Sequence, residues 1–306
     1  MKNLTLFIIW GEKMKLEAQC IPCVINHAYK VANKYFKNED EKILYLKEVM
    51  KNVVEVPSSK SPPYITHITY NLLKKYLGIS GDYDFYAKER KYFNKKLLSL
   101  TKKLEYIIES SQDRLLTSIK IAGAGNIIDF GIFDNVEENV MEKIIVPTLK
   151  KEFSMEVYNK FREDIKKAEY ILYLGDNAGE VVLDMLLIKE IKNYNPDVKI
   201  IFGVRGGYIL NDVTKEDAYM VGIDKFACII DNGTAIPGTD LEEVSDKFMK
   251  WFKKADIIIS KGQGNFETLN DIYGRNIYFI FLCKCDVIMK KIQLNSLDIA
   301  FLNIHL

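Results

Sequence analysis

Short β-rich runs alternate with amphipathic helices from about residue 169 onward, and this alternation constrains the fold more than any other sequence feature. The runs are Tyr170–Leu174, Lys199–Val204, Phe226–Ile230, Asp256–Ser260 and Ile277–Leu282. Strand–helix alternation of this kind predicts a parallel sheet with helices on both faces. We therefore expect an α/β fold with a doubly wound, mostly parallel α/β/α sheet in its C-terminal part. Thr239 and Glu242 have the spacing of a helix capping box.

The residues before the first run show apolar side chains at mixed spacings of three and four, which is typical of helices. We expect a mainly helical subdomain over residues 14–165 and an α/β domain over residues 166–306. Residues 1–13 form an extension with a short apolar run, Leu4–Trp10, that no small-residue cleavage site follows. Met14 is an alternative natural start, so it stays open whether the extension is native.

Composition narrows the class of protein. The 306 residues carry 43 Lys+Arg against 42 Asp+Glu. With this balance the protein has no strong overall positive potential that would attract nucleic acid or an anionic membrane, and we expect neither as a partner. Five cysteines, an odd number, argue against a secreted disulfide scaffold and favour the cytoplasm. The sequence has only three histidines, and this low number disfavours a Ser-His-Asp triad or a His-based zinc enzyme. The oligomeric state is left open.

Polar clusters follow the first four predicted strands. In an open parallel sheet, ligands bind beyond the carboxyl ends of the strands, so these clusters should converge. They supply Asp176, Asn177, Glu180, Arg205, Asn211, Asp212, Asp231, Asn232, Lys261 and Asn265. A single cluster of Asp, Asn and Gly is typical of ordinary turns, but four at successive strand ends indicate a site.

The chemistry of this set favours an anionic substrate. Two carboxylates and an amide oxygen are hard ligands that suit Mg²⁺, Mn²⁺ or a similar cation such as Co²⁺ or Ni²⁺. Lys261 and Arg205 are cations that can hold phosphate oxygens. The helix that follows Glu180 would add the partial positive charge of its N-terminus. A small phosphorylated metabolite is the simplest substrate, and Asn211 is a further candidate for contact with it.

The common designs for phosphate chemistry are missing from the sequence. It has no G-x-x-x-x-G-K-[ST] loop and no G-x-G-x-x-G motif. No cysteine has an arginine six positions later, and no Asp-x-Asp follows the first α/β strand. A G-x-S-x-G elbow is also absent. The residues therefore indicate a metal-assisted enzyme acting on phosphate, outside the commonest phosphatase designs.

At these residues the sequence resembles the domain of unknown function 89 family, also called damage-control phosphatases, in its archaeal-type branch with an N-terminal CxxC. The resemblance covers about residues 14 to 285. The matching stretches are Cys20–Cys23, Ala122–Phe130, Gly175–Glu180 with Asp184, Val204–Gly207, Asn211–Thr214 with Asp217, and Ser260–Glu267. The tail after Cys285 does not look like the usual ending of the family.

The resemblance implies a metal-dependent phosphatase for phosphate monoesters of sugar phosphates or damaged phosphometabolites. It also implies that Asp176, Asn177 and Asp212 hold the metal and that Lys261 lies near the phosphate. Asn94 and Asn126 look like substrate-binding residues of the family, from the helical part.

For the mechanism, we expect Lys261 and Arg205 to neutralise charge on the phosphate oxygens. Glu180 is the candidate catalytic base for attack by water. A covalent aspartyl-phosphate on Asp176 stays open as the alternative mechanism. A first-turn glutamate that only favours the helix dipole is the alternative for Glu180. An S-adenosylmethionine-dependent methyltransferase and a non-catalytic sensor of a phosphorylated metabolite remain alternative functions.

The cysteines are a second set of interest. Cys20 and Cys23 form a CxxC motif, and Cys283 and Cys285 form CxC. Together they can make a four-thiolate site for a structural zinc or an iron–sulfur cluster. A redox pair at Cys20 and Cys23, or plain packing, is the alternative. Cys228 falls inside an apolar run, so we expect it in the core.

Overall fold

The computed structural model of the chain describes residues 14–125 and 141–303. Helices make up the part before the first strand. They are α1 (Cys20–Tyr35), α2 (Glu39–Glu55), α3 (Pro62–Tyr76), α4 (Ala87–Glu109), α5 (Arg114–Ala124), α6 (Val146–Leu149) and α7 (Met155–Lys167). A π-helical turn, Met141–Ile145, leads into α6. The predicted substrate residue Asn126 lies outside the described residues.

Strands and helices then alternate, as the sequence predicts. The strands are β1 (Tyr170–Leu174), β2 (Lys199–Val204), β3 (Cys228–Asp231), β4 (Ile257–Lys261), β5 (Ile277–Leu282) and β6 (Ile299–Asn303). Between them lie α8 (Glu180–Tyr194), α9 (Lys215–Val221), α10 (Asp246–Lys254), α11 (Gln263–Leu269) and α12 (Asp286–Ile292).

The sheet has the order β3-β2-β1-β4-β5-β6. Its first five strands are parallel, and β6 pairs antiparallel with β5 at the edge. The fold class predicted from the sequence is thereby confirmed. The sequence analysis missed β6, which lies in the tail after Cys285. From β1 the chain adds β2 and β3 on one side and then returns to add β4 and β5 on the other side. Such a switch point opens a crevice at the carboxyl ends of β1 and β4.

The strands are mostly apolar, with polar residues such as Lys199, Asp231 and Lys261 at their ends, because helices cover both faces of the sheet. In β1, Ile171 and Tyr173 pack into a core shared with α4, α5, α7 and α8. The alternate residues Leu172 and Leu174 pack on the opposite face, against α10, α11 and α12. Helices α1, α2 and α3 form a third core of their own. Thus α4 and α5, although N-terminal to the predicted boundary at residue 165, pack on the sheet; the domain division itself stays a prediction.

Two local predictions were wrong. Cys228 is exposed, because it begins the edge strand β3. Thr239 and Glu242 do not cap a helix: Ser245 caps α10, its hydroxyl accepting a hydrogen bond from the Phe248 amide at 3.2 Å. The Thr239 hydroxyl instead donates to Asn265 at 2.7 Å, close to the predicted site. Within residues 14–125 and 141–303, no helix is long and apolar enough to cross a bilayer.

Candidate active site

The loops after β1 and β2 are joined by a short stretch of backbone pairing. Asn177 and Asp212 form an isolated antiparallel bridge. The Val213 amide donates to the Asp176 carbonyl at 2.8 Å, and the Ala178 amide donates to the Asn211 carbonyl at 2.9 Å. This pairing brings the three predicted metal ligands to one place. Asn211 takes part in it through its backbone.

Asp176, Asn177 and Asp212 line a common cleft of about 550 Å³. The cleft lies between the carboxyl ends of the strands and the helix α1, at the switch point of the sheet. Asp176 and Asp212 are buried, with 8% and 3% of their surface exposed. Two carboxylates and one amide oxygen on the wall of one cleft form a hard donor set that fits Mg²⁺ or Mn²⁺.

Gly262, directly after β4, brings the backbone against Asp176. A Cβ at this position would lie 2.0 Å from the Asp176 carboxyl carbon, and the φ of Gly262 is +81°. Only glycine combines this left-handed conformation with this approach. The backbone at the end of β4 therefore packs directly against the Asp176 carboxylate and limits its movement.

Arg205 stabilises the two carboxylates from inside the protein. Its Nε donates to Asp212 Oδ2 at 2.7 Å, and its Nη2 lies 3.9 Å from Asp176 Oδ1. Burial raises the pKa of Asp212, and the Arg205 guanidinium opposes that rise. In this arrangement Arg205 is buried and positions the carboxylates.

Lys261 lies beneath the cleft, with its side chain fully buried. Its ammonium group donates to Asp184 at 2.5 Å, to Glu180 at 2.6 Å and to the Ala122 carbonyl at 2.9 Å. Burial alone would lower the pKa of Lys261, but Asp184 and Glu180 raise it above its ordinary value. An ammonium group has three donors, so a phosphate contact would have to replace one of these three acceptors.

Glu180 links this buried cluster to the cleft. One of its oxygens accepts from Lys261, and the other accepts from the Asn177 amide at 3.3 Å. Asp184 completes the cluster one helical turn later; burial raises its pKa to about 6, although the charge of Lys261 opposes this. The sequence analysis noted Asp184 only as part of a matching stretch. The i, i+4 spacing from Glu180 places both carboxylates on one face of α8 and was the available signal.

Asn94 is fully buried, and its side chain bonds to protein groups. Its oxygen accepts from the Gly179 amide at 2.6 Å, and its nitrogen donates to Asp217 at 2.8 Å. Arg90, one turn earlier in α4, donates to the Asp212 carbonyl at 3.3 Å. The structure thus places Asn94 behind the loop at the start of α8. Sequence reasoning did not single out Arg90, because an arginine in a charged helix carries no distinguishing pattern.

The cysteines divide into two groups. Cys20, Cys23 and Cys285 line the cleft, whereas Cys283 is buried in the core between the sheet and the helices α10, α11 and α12. Burial raises the pKa of Cys20 and Cys23, and it raises that of Cys283 to about 12. In the described parts of the chain, no three His, Cys, Asp or Glu side chains are arranged to hold a metal ion. A cysteine metal site therefore stays a prediction.

A family profile for the damage-control phosphatase ARMT1-like domain matches residues 16–298. The chain belongs to the damage-control phosphatase ARMT1-like family. The match spans every element from α1 to the loop before β6, so the site described above lies within it. The resemblance inferred from the sequence motifs is confirmed.

Relatives of known sequence agree with this assignment. The chain is 34% identical over 296 residues to an uncharacterised protein of Methanocaldococcus jannaschii, covering 94% of this chain and 95% of the relative. It is 30% identical over 285 residues to the damage-control phosphatase PH1575 of Pyrococcus horikoshii, covering 92% and 95%. A damage-control phosphatase of Archaeoglobus fulgidus is 29% identical over 290 residues, covering 94% and 98%.

A crystal structure shows the same fold in this family. The DUF89 family protein PH1575 of Pyrococcus horikoshii superposes with a TM-score of 0.83 at 28% identity. The match covers 95% of this chain and 99% of that protein. The family profile extends to residue 298, so most of the tail after Cys285 lies within the match.

Proposed function

We propose that this protein is a metal-dependent phosphatase that hydrolyses phosphate monoesters of sugar phosphates or damaged phosphometabolites. Two of its relatives carry the name damage-control phosphatase. The observation that carries the proposal is the placement of Asp176, Asn177 and Asp212 on one cleft wall, at the switch point of the sheet.

Asp176, Asn177 and Asp212 would hold one divalent cation through their side-chain oxygens. When bound, such a cation supplies Lewis acidity and an activated water molecule for attack on phosphorus. The residues of the chain provide the rest. Arg205 orients Asp212 by its contact at 2.7 Å, and its charge opposes the rise that burial causes in the pKa of Asp212. Gly262 lets the end of β4 fix Asp176 from below.

Glu180 is the proposed proton acceptor and lies directly behind Asn177 of the cleft wall. It contacts Asn177 on the cleft side and Lys261 on the buried side. Lys261 would contact a phosphate oxygen only after releasing one of its three present acceptors. Asn94 would act by holding the Gly179 amide, and thus the start of α8, beside the substrate.

Hydrolysis of an aryl phosphate tests the proposal. Metal-stripped protein should be inactive, and adding Mg²⁺, Mn²⁺, Co²⁺ or Ni²⁺ singly should restore hydrolysis with at least one of them. Asp176→Asn should abolish the restored activity because it removes a charged ligand. The matched control is Asp240→Asn, since Asp240 is also buried, 7% exposed, but does not line the cleft.

Equal activity in Asp176→Asn and wild type would contradict the proposed site. If no metal restores hydrolysis of the aryl phosphate or of a panel of sugar phosphates, the proposed reaction is wrong. Binding of S-adenosylmethionine, or of a phosphate ester without turnover, would then favour a methyltransferase or a sensor.

A further inference from the structure

The cleft has a second end whose chemistry differs from that of the aspartates. Cys20 and Cys23 at the start of α1, Cys285 before α12, and Glu267 on α11 line this end. Burial and, to a lesser extent, the charge of Glu267 raise the pKa of the Cys20 and Cys23 thiols, and all three residues line the same cleft. A substrate with its phosphate at Asp176 and Asp212 would share the cleft with these side chains.

Glu267 is held rigidly on the wall of the cleft. Only 9% of its surface is exposed. Its Oε1 accepts a hydrogen bond from the Gln263 amide at 2.9 Å, and the Gln263 oxygen accepts from the Lys284 backbone amide at 3.2 Å. Gln263 therefore ties the Glu267 carboxyl to the loop that carries Cys285, and both walls of this end are fixed to each other.

No cation offsets the charge of Glu267. Among the ion pairs of residues 14–125 and 141–303, none includes this carboxyl. Burial raises its pKa to about 7, with only the Gln263 hydrogen bond opposing the rise. A buried carboxyl without a cation is costly for the fold. Because Glu267 lies on the wall of the cleft, a ligand there would contact its carboxyl directly, and such a role would explain why the unfavourable burial is kept.

The charges around this end are unbalanced. Asp286 also lines it, at the rim, where its carboxylate accepts from Gln19 at 3.1 Å. Lys284 is the basic side chain that lines the cleft in the described part of the chain. His27 lines it as well, and burial lowers its pKa, which favours the neutral imidazole. Asp286 and Lys284 are both exposed to water, so an anionic leaving group would meet the buried Glu267 carboxylate as the main charge here.

We propose that Glu267 is a specificity-determining residue that faces the leaving group of the substrate. It selects phosphate monoesters whose leaving group is uncharged or cationic against those that carry a carboxylate or a second phosphate. The proposal rests on the proposed phosphatase function, because it takes the Asp176 end of the cleft as the phosphate end. The thiols beside Glu267 complete a subsite that suits a neutral, polarisable group.

Phosphonates separate binding from hydrolysis, because a phosphatase does not cleave their carbon–phosphorus bond. Three probes share a phosphonate on a three-methylene chain and differ in the distal group: anionic phosphonobutanoate, its uncharged amide phosphonobutanamide, and cationic aminobutylphosphonate. Their dissociation constants would be measured by calorimetry with the divalent metal present, at about pH 8, where Glu267 is mostly ionised. Each is measured on wild type, Glu267→Gln and Asp286→Asn.

Glu267→Gln is the decisive variant, since glutamine keeps the size of the side chain and an oxygen for the Gln263 hydrogen bond. We expect the wild type to bind the amide and the amine about tenfold more tightly than the carboxylate. Glu267→Gln should tighten carboxylate binding by about tenfold and leave amide binding within about twofold. Asp286→Asn should change the ratio little, because Asp286 is exposed and its charge is screened by water.

An unchanged ratio in Glu267→Gln overturns the inference, as does an equal shift in Asp286→Asn or failure of all three probes to bind. The aryl phosphate assay decides the proposed function separately. Metal-restored hydrolysis together with indifference to the distal charge overturns only the role of Glu267. Charge selection by Glu267 without hydrolysis overturns only the phosphatase.

Discussion

At the scale of single residues, the site depends on charges that are buried and paired. Lys261 is the clearest case, with two carboxylates and a carbonyl around an ammonium group that has no exposed surface. Removing one partner of a buried ion pair is far more costly than removing an exposed pair, because the remaining charge loses its compensation without regaining water. Lys261 is therefore expected to support the fold as well as the reaction.

Lys261→Met should lower the free energy of unfolding by about 3–5 kcal/mol, since Glu180 and Asp184 would lose their shared cation. Urea denaturation of wild type and variant measures the change. The control is Lys60→Met, which removes an exposed pair with Glu242 and should cost less than about 1 kcal/mol. Equal losses in the two variants would show that the Lys261 cluster contributes no more than a surface pair.

Gly262→Ala tests the contact between the end of β4 and Asp176. The new Cβ collides with the Asp176 carboxyl, so hydrolysis should fall by at least about a hundredfold, a loss typical of displaced catalytic geometry. Gly274→Ala is the matched control, because Gly274 also has a positive φ, +72°, but a Cβ there meets nothing within 4 Å. The control should lose about 1–2 kcal/mol of stability from backbone strain and keep its activity. Similar activities of the two variants would contradict the contact.

At the scale of elements, α4 reaches across to the loops that carry the ligands. Asn94 holds the start of α8, and Arg90 holds the loop after β2. These contacts explain why a helix that precedes the sheet by about sixty residues in the chain belongs to the site. Resemblance to the family pointed to Asn94 as a substrate-side residue, whereas the structure gives both of its polar atoms protein partners.

Asn94→Ala separates a positioning role from substrate contact. If Asn94 holds the loop, the variant should lose about 1–3 kcal/mol of stability, because Gly179 and Asp217 lose a buried partner. Its kcat should fall by a similar factor for every ester, with KM changed little. Asn71→Ala, an exposed asparagine on α3, is the control and should stay within about 0.5 kcal/mol. A rise in KM that differs among esters, at unchanged stability, would indicate direct substrate contact.

The elements differ in how well the sequence predicts them. β1, β2 and β5 have the bounds predicted from their apolar runs, because strands buried on both faces need continuous apolar residues. β6 was missed although α12 separates it from β5, because its apolar run, Ile299–Leu302, is only four residues long. The strand-end rule brought Asp176, Asn177 and Asp212 to one cleft. It could not show that Lys261 points inward, because that depends on the packing of α5 and α8 around it.

At the scale of the whole molecule, two bodies of structure meet at the cleft: the sheet with its covering helices, and the bundle of α1, α2 and α3. The bundle supplies Cys20, Cys23 and His27 to one wall, and the sheet edge supplies the aspartates and Glu267. The proposed leaving-group subsite therefore draws on both bodies, with Glu267 from the sheet part and Cys20 and Cys23 from the bundle.

The free energy of unfolding should depend on pH because burial raises the pKa of the Glu267 carboxyl. Between the ordinary carboxyl pKa of 4.5 and about 7, the native state keeps a proton that the unfolded chain has lost. Stability from this group is therefore present below that range and is lost as the pH rises through it. Glu267→Gln cannot ionise, so relative to wild type it should gain up to about 3 kcal/mol between about pH 4.5 and pH 8.

Urea denaturation of wild type and Glu267→Gln at about pH 5 and about pH 8 measures this difference, and other titrating groups cancel in the comparison. Asp286→Asn, at the exposed rim, should show no comparable change with pH. A constant gap between Glu267→Gln and wild type across this range would mean that Glu267 ionises normally in the native state.

Calorimetric titration of Mn²⁺ into metal-stripped protein tests the central claim most directly, that Asp176, Asn177 and Asp212 form a metal site. The account predicts one Mn²⁺ bound per chain by wild type and by Asp240→Asn, and binding weakened by at least about a hundredfold in Asp176→Asn and in Asp212→Asn, each with circular dichroism like that of wild type. Unchanged Mn²⁺ affinity in both cleft variants would contradict it.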